Sequence, residues 1–183
     1  MRVEVRFSGF GGQGIVTAGI ILGRAASLYE GKHAVQTQSY GPEARGGASR
    51  SEVVISDSEI LYPKVTRPDV FVVMSGEALQ RYLKDVRKGC RVIYDSSLIR
   101  TPPSKGMPYA VPATLMAKKH LGRTIVANII LLGALSAITG VVGMEALEKA
   151  VLDTVPKGTE ELNLRALKLG YEAGAEAVQG GGK

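Results

Sequence analysis

The chain has 183 residues, 45% of them hydrophobic and 22% charged, with 23 Lys+Arg against 17 Asp+Glu and a net charge of +6. That is enough apolar chain for one core and too much for a disordered segment. A single cysteine, Cys90, excludes a disulfide framework, a cysteine-rich metal site and an iron–sulfur cluster held by this chain alone. The basic residues are scattered, Trp is absent and aromatics make up 5%, so nothing points to nucleic acid.

The opening residues alternate charged and apolar side chains, which reads as a strand over residues 3–8 and not as a signal peptide. Residues 14–29 follow as a helix, with Ile15, Ala18, Leu22, Ala25 and Ala26 on one face. Strands are expected over 34–38 and 52–56, and the solid apolar run 70–74 reads as a central strand buried on both faces. A helix over 76–86 stops at Lys88-Gly89. Strands over 91–94 and 109–111 come next, then a short helix over 113–121. The stretch 125–143 carries no charge and approaches the length of a membrane span. Asn128, Ser136, Thr139 and three glycines within it favour a helix, about 125–139, buried on more than one side. Helices over 144–154 and 160–178 close a single domain of 178 residues, with 179–183 as a flexible tail. Strands alternating with helices predict an α/β fold, a Rossmann-like, mostly parallel sheet with helices on both faces. Without a membrane span or leader, the expected location is the cytoplasm.

Gly9-Phe10-Gly11-Gly12-Gln13-Gly14 follows the first strand and opens the first helix, which is the context G-x-G-x-x-G requires. Glycines there permit a tight turn and close backbone approach, and the helix start presents free N–H groups to a phosphate or carboxylate. The same glycines also serve a plain strand-to-helix turn. A dinucleotide site normally adds an acidic residue near the end of the second strand. Here that strand ends in Thr37-Gln38-Ser39-Tyr40, which argues against NAD. No Gly-Lys-Ser/Thr follows the glycines, so a P-loop is absent as well.

The second unusual segment is Gln38-Ser39-Tyr40-Gly41-Pro42-Glu43-Ala44-Arg45-Gly46-Gly47-Ala48-Ser49-Arg50. It is polar, glycine-rich and long for a connection in a compact domain. It leaves the carboxyl end of the second strand, so it is expected beside the first glycine loop, where open α/β sheets bind ligands. Arg45 and Arg50 are placed to meet an acidic ligand or partner; a local Glu43–Arg45 pair on a solvated loop is the plainer alternative.

Together, residues 9–14 and 38–47 resemble the gamma subunit of 2-oxoacid:ferredoxin oxidoreductases, as do Asn128-Ile129-Ile130-Leu131-Leu132-Gly133 and the late segment from Val155-Pro156-Lys157 to Leu169-Gly170. The resemblance implies a Rossmann-like subunit of an enzyme that decarboxylates a 2-oxoacid, forms an acyl-CoA and reduces ferredoxin. It implies that thiamine diphosphate with Mg and the iron–sulfur clusters belong to other chains, and that this chain supports assembly and meets coenzyme A. The implied partners are alpha and beta subunits and a ferredoxin-like subunit, with ferredoxin as electron acceptor. The compact form of residues 39–47 is more similar to the 2-oxoglutarate and 2-ketoisovalerate types than to the pyruvate type. The cofactor-binding candidates are Gly9, Gly11, Gly12, Gln13 and Gly14 in the first loop, with no cofactor expected to be held by this chain alone. In the second they are Ser39, Tyr40, Gly41, Glu43, Arg45, Gly46 and Gly47. A stand-alone nucleotide-binding Rossmann enzyme built on the first loop is the alternative.

The remaining candidates read more plainly. Gln13 either enters the loop cavity or caps its turn. Tyr40 suits a subunit interface. Asp95-Ser96-Ser97 ends a strand on the ligand edge and more simply starts a turn. Cys90 is expected to be buried and inert, His33 to lie on the surface, and His120 with Lys118, Lys119 and Arg123 to form a solvated face, with contact to coenzyme A phosphates as the alternative. No Ser/His/Asp set or carboxylate pair forms a catalytic unit. The isolated chain is therefore expected to lack oxidoreductase activity. The helix 125–139, apolar all round, is expected to be covered partly by another subunit, and in isolation by a homodimer.

Overall fold

In the computed structural model, residues 1–39 and 47–181 are described. Six strands form one sheet: β1 (Arg2–Phe10), β2 (His33–Ser39), β3 (Ala48–Ser56), β4 (Val70–Val73), β5 (Arg91–Asp95) and β6 (Met107–Val111), in the order β2-β3-β1-β4-β5-β6. β1, β4, β5 and β6 pair in parallel, and β3 runs antiparallel to both β1 and β2. The mostly parallel sheet expected from the sequence is present, with β3 as its one reversed strand.

The apolar runs of β4 and β5 bury both faces, as central parallel strands must. On one face Val5, Phe7, Val53, Ile55, Val72 and Ile93 meet α1 (Ile15–Arg24, prolonged by a π-turn at Ala25–Tyr29), α4 (Ala127–Thr139) and α5 (Met144–Thr154). On the other, Phe71, Val73, Val92 and Tyr94 meet α2 (Gly76–Tyr82). The short α3 (Ala113–Met116) connects β6 to α4, and α6 (Glu160–Gly180) lies along α4. α6 runs two residues beyond its expected end at Val178, so part of the expected tail is helical.

Residues 127–136 of α4 are all buried, and the chain itself supplies the cover. A Cβ added at Gly170 would lie 1.8 Å from the Ile130 carbonyl oxygen, and one at Gly133 would lie 2.1 Å from that of Leu167. These glycines bring the α4 and α6 backbones into direct contact. The small residues of α4 do permit close helix approach, as expected, but the helix that approaches is α6. The cover expected from another subunit or a second copy is not needed.

Two further features depart from the sequence reading. β3 begins at Ala48, four residues before its expected start, because Ser49 and Ser51 are buried despite their polarity. A Cβ at Gly19 of α1 would meet the Ser51 Oγ at 2.2 Å, so small residues on both sides let the helix lie close to the strand. The charged residues of β1 are also not all solvated. Arg6 is fully buried on the α2 face. It donates to Glu52 at 2.7 Å, to Asp85 at 2.6 Å and to the Val65 carbonyl at 3.0 Å, and stacks over the Tyr82 ring.

Candidate functional site

The first glycine loop sits at the carboxyl edge of β1 and turns directly into α1. Gly14 is the N-cap, with φ of 75°, and no side chain among the described residues caps the helix start. The first-turn N–H groups are therefore left for something else to meet. Gln13 ties the loop down: its Oε1 accepts from the Phe10 N–H at 2.7 Å, and its Nε2 donates to the Met74 carbonyl at 3.1 Å. It acts as the turn's cap, one of its two expected roles.

The three glycines of G-x-G-x-x-G have different reasons to be glycine. A Cβ at Gly9 would strike the Gln13 amide oxygen at 2.4 Å, and one at Gly14 the Asn128 Nδ2 at 2.3 Å. Gly11 has neither a positive φ nor, among the described residues, a protein atom within 4 Å of its missing Cβ. Nothing in the described part of the fold demands glycine there. Its bare backbone instead faces a cavity of about 610 Å³ bounded by the glycine loop, α1, the approach to α4, and the start of α6. Ile15, Ile125, Val126, Ile129, Val155 and Leu162 make the walls largely apolar, and Thr17, Thr159, Asn163 and Arg123 add polar groups. Such a cavity, apolar with a few placed polar groups at the carboxyl edge of a parallel sheet, has the form of a ligand site.

Asn128 is a site residue for which the sequence reading assigned no role. It is buried on α4 and donates from Nδ2 to the Gly14 carbonyl at 3.0 Å, fixing the loop's last glycine. Its Oδ1 is buried without a hydrogen-bond partner among the described residues. The available signal was one amide in a 13-residue apolar helix, since an amide is seldom buried without a polar task.

The second loop divides. Tyr40, Gly41, Glu43, Arg45 and Gly46 lie outside the described residues. Ser39 and Gly47 flank them. Ala48, next after Gly47, pairs with Phe10 at the end of β1, so the second loop re-enters the sheet beside the first glycine loop. The strand that brings it there is β3. β2 is separated from β1 by β3, and Ser39, paired with Arg50, does not line the cavity. Arg50 stands 5.7 Å over the Tyr82 ring on the opposite sheet face and is also outside it.

Asp95 is fully buried and accepts from the Ser97 and Thr114 backbone N–H and hydroxyl groups. It builds the turn after β5 and holds the start of α3. Cys90 is buried, and loss of solvent pushes its thiol up to about 11. That is the environment of an inert core thiol and does not fit a cluster ligand. His33 is exposed, and Lys118, Lys119, His120 and Arg123 form an exposed group around the end of α3. No described helix is long and apolar enough to cross a membrane.

Residues 4–173 match the family model described as pyruvate ferredoxin/flavodoxin oxidoreductase. The chain belongs to this family. It is 55% identical to the 2-oxoglutarate synthase subunit KorC of Methanocaldococcus jannaschii over 96% of both chains. The keto/oxoacid ferredoxin oxidoreductase gamma subunit of Geobacter sulfurreducens superposes with a TM-score of 0.88 at 47% identity, covering 97% of this chain and 98% of that one. A 2-oxoglutarate:ferredoxin oxidoreductase chain from Magnetococcus marinus, solved with 2-oxoglutarate, coenzyme A and succinyl-CoA bound, superposes at 0.83 and 25% identity. It covers 96% of this chain and 31% of that longer one. The chain is thus a gamma-type subunit of an oxidoreductase, as its resemblance implied, and it is built for a complex rather than as a stand-alone enzyme.

Proposed function

We propose that this chain is the gamma subunit of a 2-oxoglutarate:ferredoxin oxidoreductase and that its first glycine loop holds coenzyme A within the assembled enzyme. The observation that carries the reading is Gly11, which no neighbouring atom of the described residues requires to be glycine and whose backbone opens onto the cavity. The uncapped start of α1 suits an anionic group such as a phosphate of coenzyme A. Arg123 at the cavity adds a cation, and the apolar walls suit the uncharged part of the ligand. Thiamine diphosphate with Mg and the iron–sulfur clusters supply decarboxylation and electron transfer from the alpha, beta and ferredoxin-like subunits. This chain binds and orients.

The test is made on the complex assembled from all its subunits, following viologen reduction with 2-oxoglutarate and varied coenzyme A. Gly11→Val is expected to raise the KM for coenzyme A by about tenfold or more, because a branched side chain blocks approach to the helix start. The melting temperature of the free chain should stay unchanged, since an added Cβ meets no atom of the described residues within 4 Å. An unchanged KM in a correctly assembled Gly11→Val complex places coenzyme A elsewhere.

A further inference from the structure

Two helix starts, not one, meet at the cavity. At the first, the opening bond of α1 runs from the Ala18 N–H to the Gly14 carbonyl at 3.0 Å, and the N–H groups of Ile15, Val16 and Thr17 have no acceptor among the described residues. At the second, a 3-10 turn (Thr124–Val126) leads straight into α4. Its opening bond runs from the Ala127 N–H to the Thr124 carbonyl, and the N–H groups of Thr124, Ile125 and Val126 are likewise unclaimed among the described residues. Ile15, Val16 and Thr17 line the cavity, and so do Arg123, Ile125 and Val126. Thr124 lines a depression that shares Gly12 and Ile125 with it.

No carboxylate offsets either start. Neither has Asp or Glu in its first turn, and the sequence contains none between Glu4 and Glu30 or between Asp95 and Glu145. Arg123, the N-cap of the second start, is exposed and has no acidic partner among the described residues. Each start therefore carries the partial positive charge of a helix N-terminus, and a full charge reinforces the second. Between them stands Asn128. It is 6% exposed, lines the cavity, and reaches from α4 to the Gly14 carbonyl through its Nδ2. Its Oδ1 is the buried acceptor left without a partner among the described residues, a state that costs stability until a donor arrives. Thr124 precedes Asn128 by about one helical turn, roughly 6 Å along the axis, which sets the spacing of the two starts.

We infer that the helix start at Thr124, with Arg123, is a second anion subsite, and that it makes this chain selective for a ligand with two separated phosphoryl groups. The inference rests on the coenzyme A reading and deepens it. Coenzyme A carries a diphosphate and, on its ribose, one further phosphate. The diphosphate lies against Gly11 and the start of α1, where bare backbone permits close approach. The ribose phosphate lies at Thr124 and Arg123, and the ribose hydroxyl between the phosphates donates to the Asn128 Oδ1. A single helix start would accept any nucleotide with a diphosphate. Two starts disfavour a ligand without the further phosphate, because it leaves the second set of N–H groups and Arg123 unpaired.

The experiment compares coenzyme A with dephospho-coenzyme A, which lacks only the ribose phosphate, as substrates of the complex assembled from all its subunits. The readout is the ratio of the two kcat/KM values, which a purely structural defect does not move. The native complex is expected to prefer coenzyme A by about 30-fold or more. Thr124→Pro removes one N–H of the second start at a position where proline fits: it is the first helical residue, and Arg123 before it is already extended at φ −141° and ψ 117°. Thr124→Pro and Arg123→Gln should each cut the preference by about fivefold or more, and Arg123→Lys, which keeps the charge, should retain more of it than Arg123→Gln. Gly11→Val should raise the KM for both substrates and leave their ratio unchanged. The inference is overturned if the native complex uses the two substrates equally, or if Arg123→Gln and Thr124→Pro leave the ratio at its native value. The coenzyme A reading survives those outcomes as long as Gly11→Val raises both KM values. If Gly11→Val raises neither, that reading falls and the second subsite falls with it.

Discussion

Arg6 shows how a single residue ties the second sheet face together. Its guanidinium meets Glu52, Asp85, the Val65 carbonyl and the Tyr82 ring, linking β1, β3, the β3–β4 connection and α2. A buried cation of this kind is stabilised by its partners and becomes costly when one is removed. Glu52→Ala should therefore lower unfolding free energy by about 3 kcal/mol, read as a lower urea midpoint at unchanged slope. Asp57→Asn, which removes only an exposed partner of the amino terminus, should leave that midpoint unchanged. Cys90 makes a second prediction at this scale. With its pKa raised to about 11 by burial, almost no thiolate exists at pH 8, and a thiol reagent should label the native chain only as fast as it unfolds. The sign for stability follows. The thiol ionises near 9.0 in the unfolded chain and near 11 in the native one. The native state thus holds its proton longer, and its stability should fall as pH rises across that window.

The pairing of α4 with α6 is decided by backbone contact. Gly170 and Gly133 each place a carbonyl of the facing helix where a Cβ would stand, and Gly174 does the same against Ala134. Gly170→Ala must push the helices apart or bend one of them, although alanine is the better helix former. It should destabilise the chain by about 3 kcal/mol or more, overpacking outweighing helix propensity, measured by thermal or urea unfolding. Leu132→Lys, fully buried on the same helix, should prevent folding outright. Most elements were legible in the sequence because their periodicity is clean: α4, α5 and α6 and the strands β4 and β5 fall within a few residues of expectation. What escaped was partnership. An apolar helix states that it is covered but not by what, and the glycines of α6 become informative only once they are seen against Ile130 and Ala134. The early part of β3 escaped because serines in a strand read as loop until Gly19 is found lying on Ser51. At the site, the first loop was legible from its glycine spacing. Asn128 was not, because its task is to reach a carbonyl 114 residues away in sequence.

At the scale of the whole molecule, the strand order sets which ligands the edge beside β1 can accept. In a dinucleotide fold the strand next to β1 runs parallel to it and ends at the ligand edge, where its acidic residue meets the ribose. Here that place belongs to β3, which runs antiparallel and begins at this edge with Ala48-Ser49 instead of ending there. Ser49 lines the cavity, and no Asp or Glu among the described residues does. β2, whose end would carry the acid in a standard site, lies one strand further out and finishes in Gln38-Ser39. Topology therefore disfavours NAD beyond the missing side chain: the reversed strand removes the position from which an acid would act. The helix start and Gly11 remain suited to an anionic ligand with an apolar portion. Titration calorimetry of the full chain should show no saturable binding of NAD at concentrations up to about 1 mM, a limit corresponding to roughly −4 kcal/mol. Micromolar NAD binding that disappears in Gly11→Val would instead make the first loop a dinucleotide site despite β3, and would return the stand-alone nucleotide-binding reading to the front.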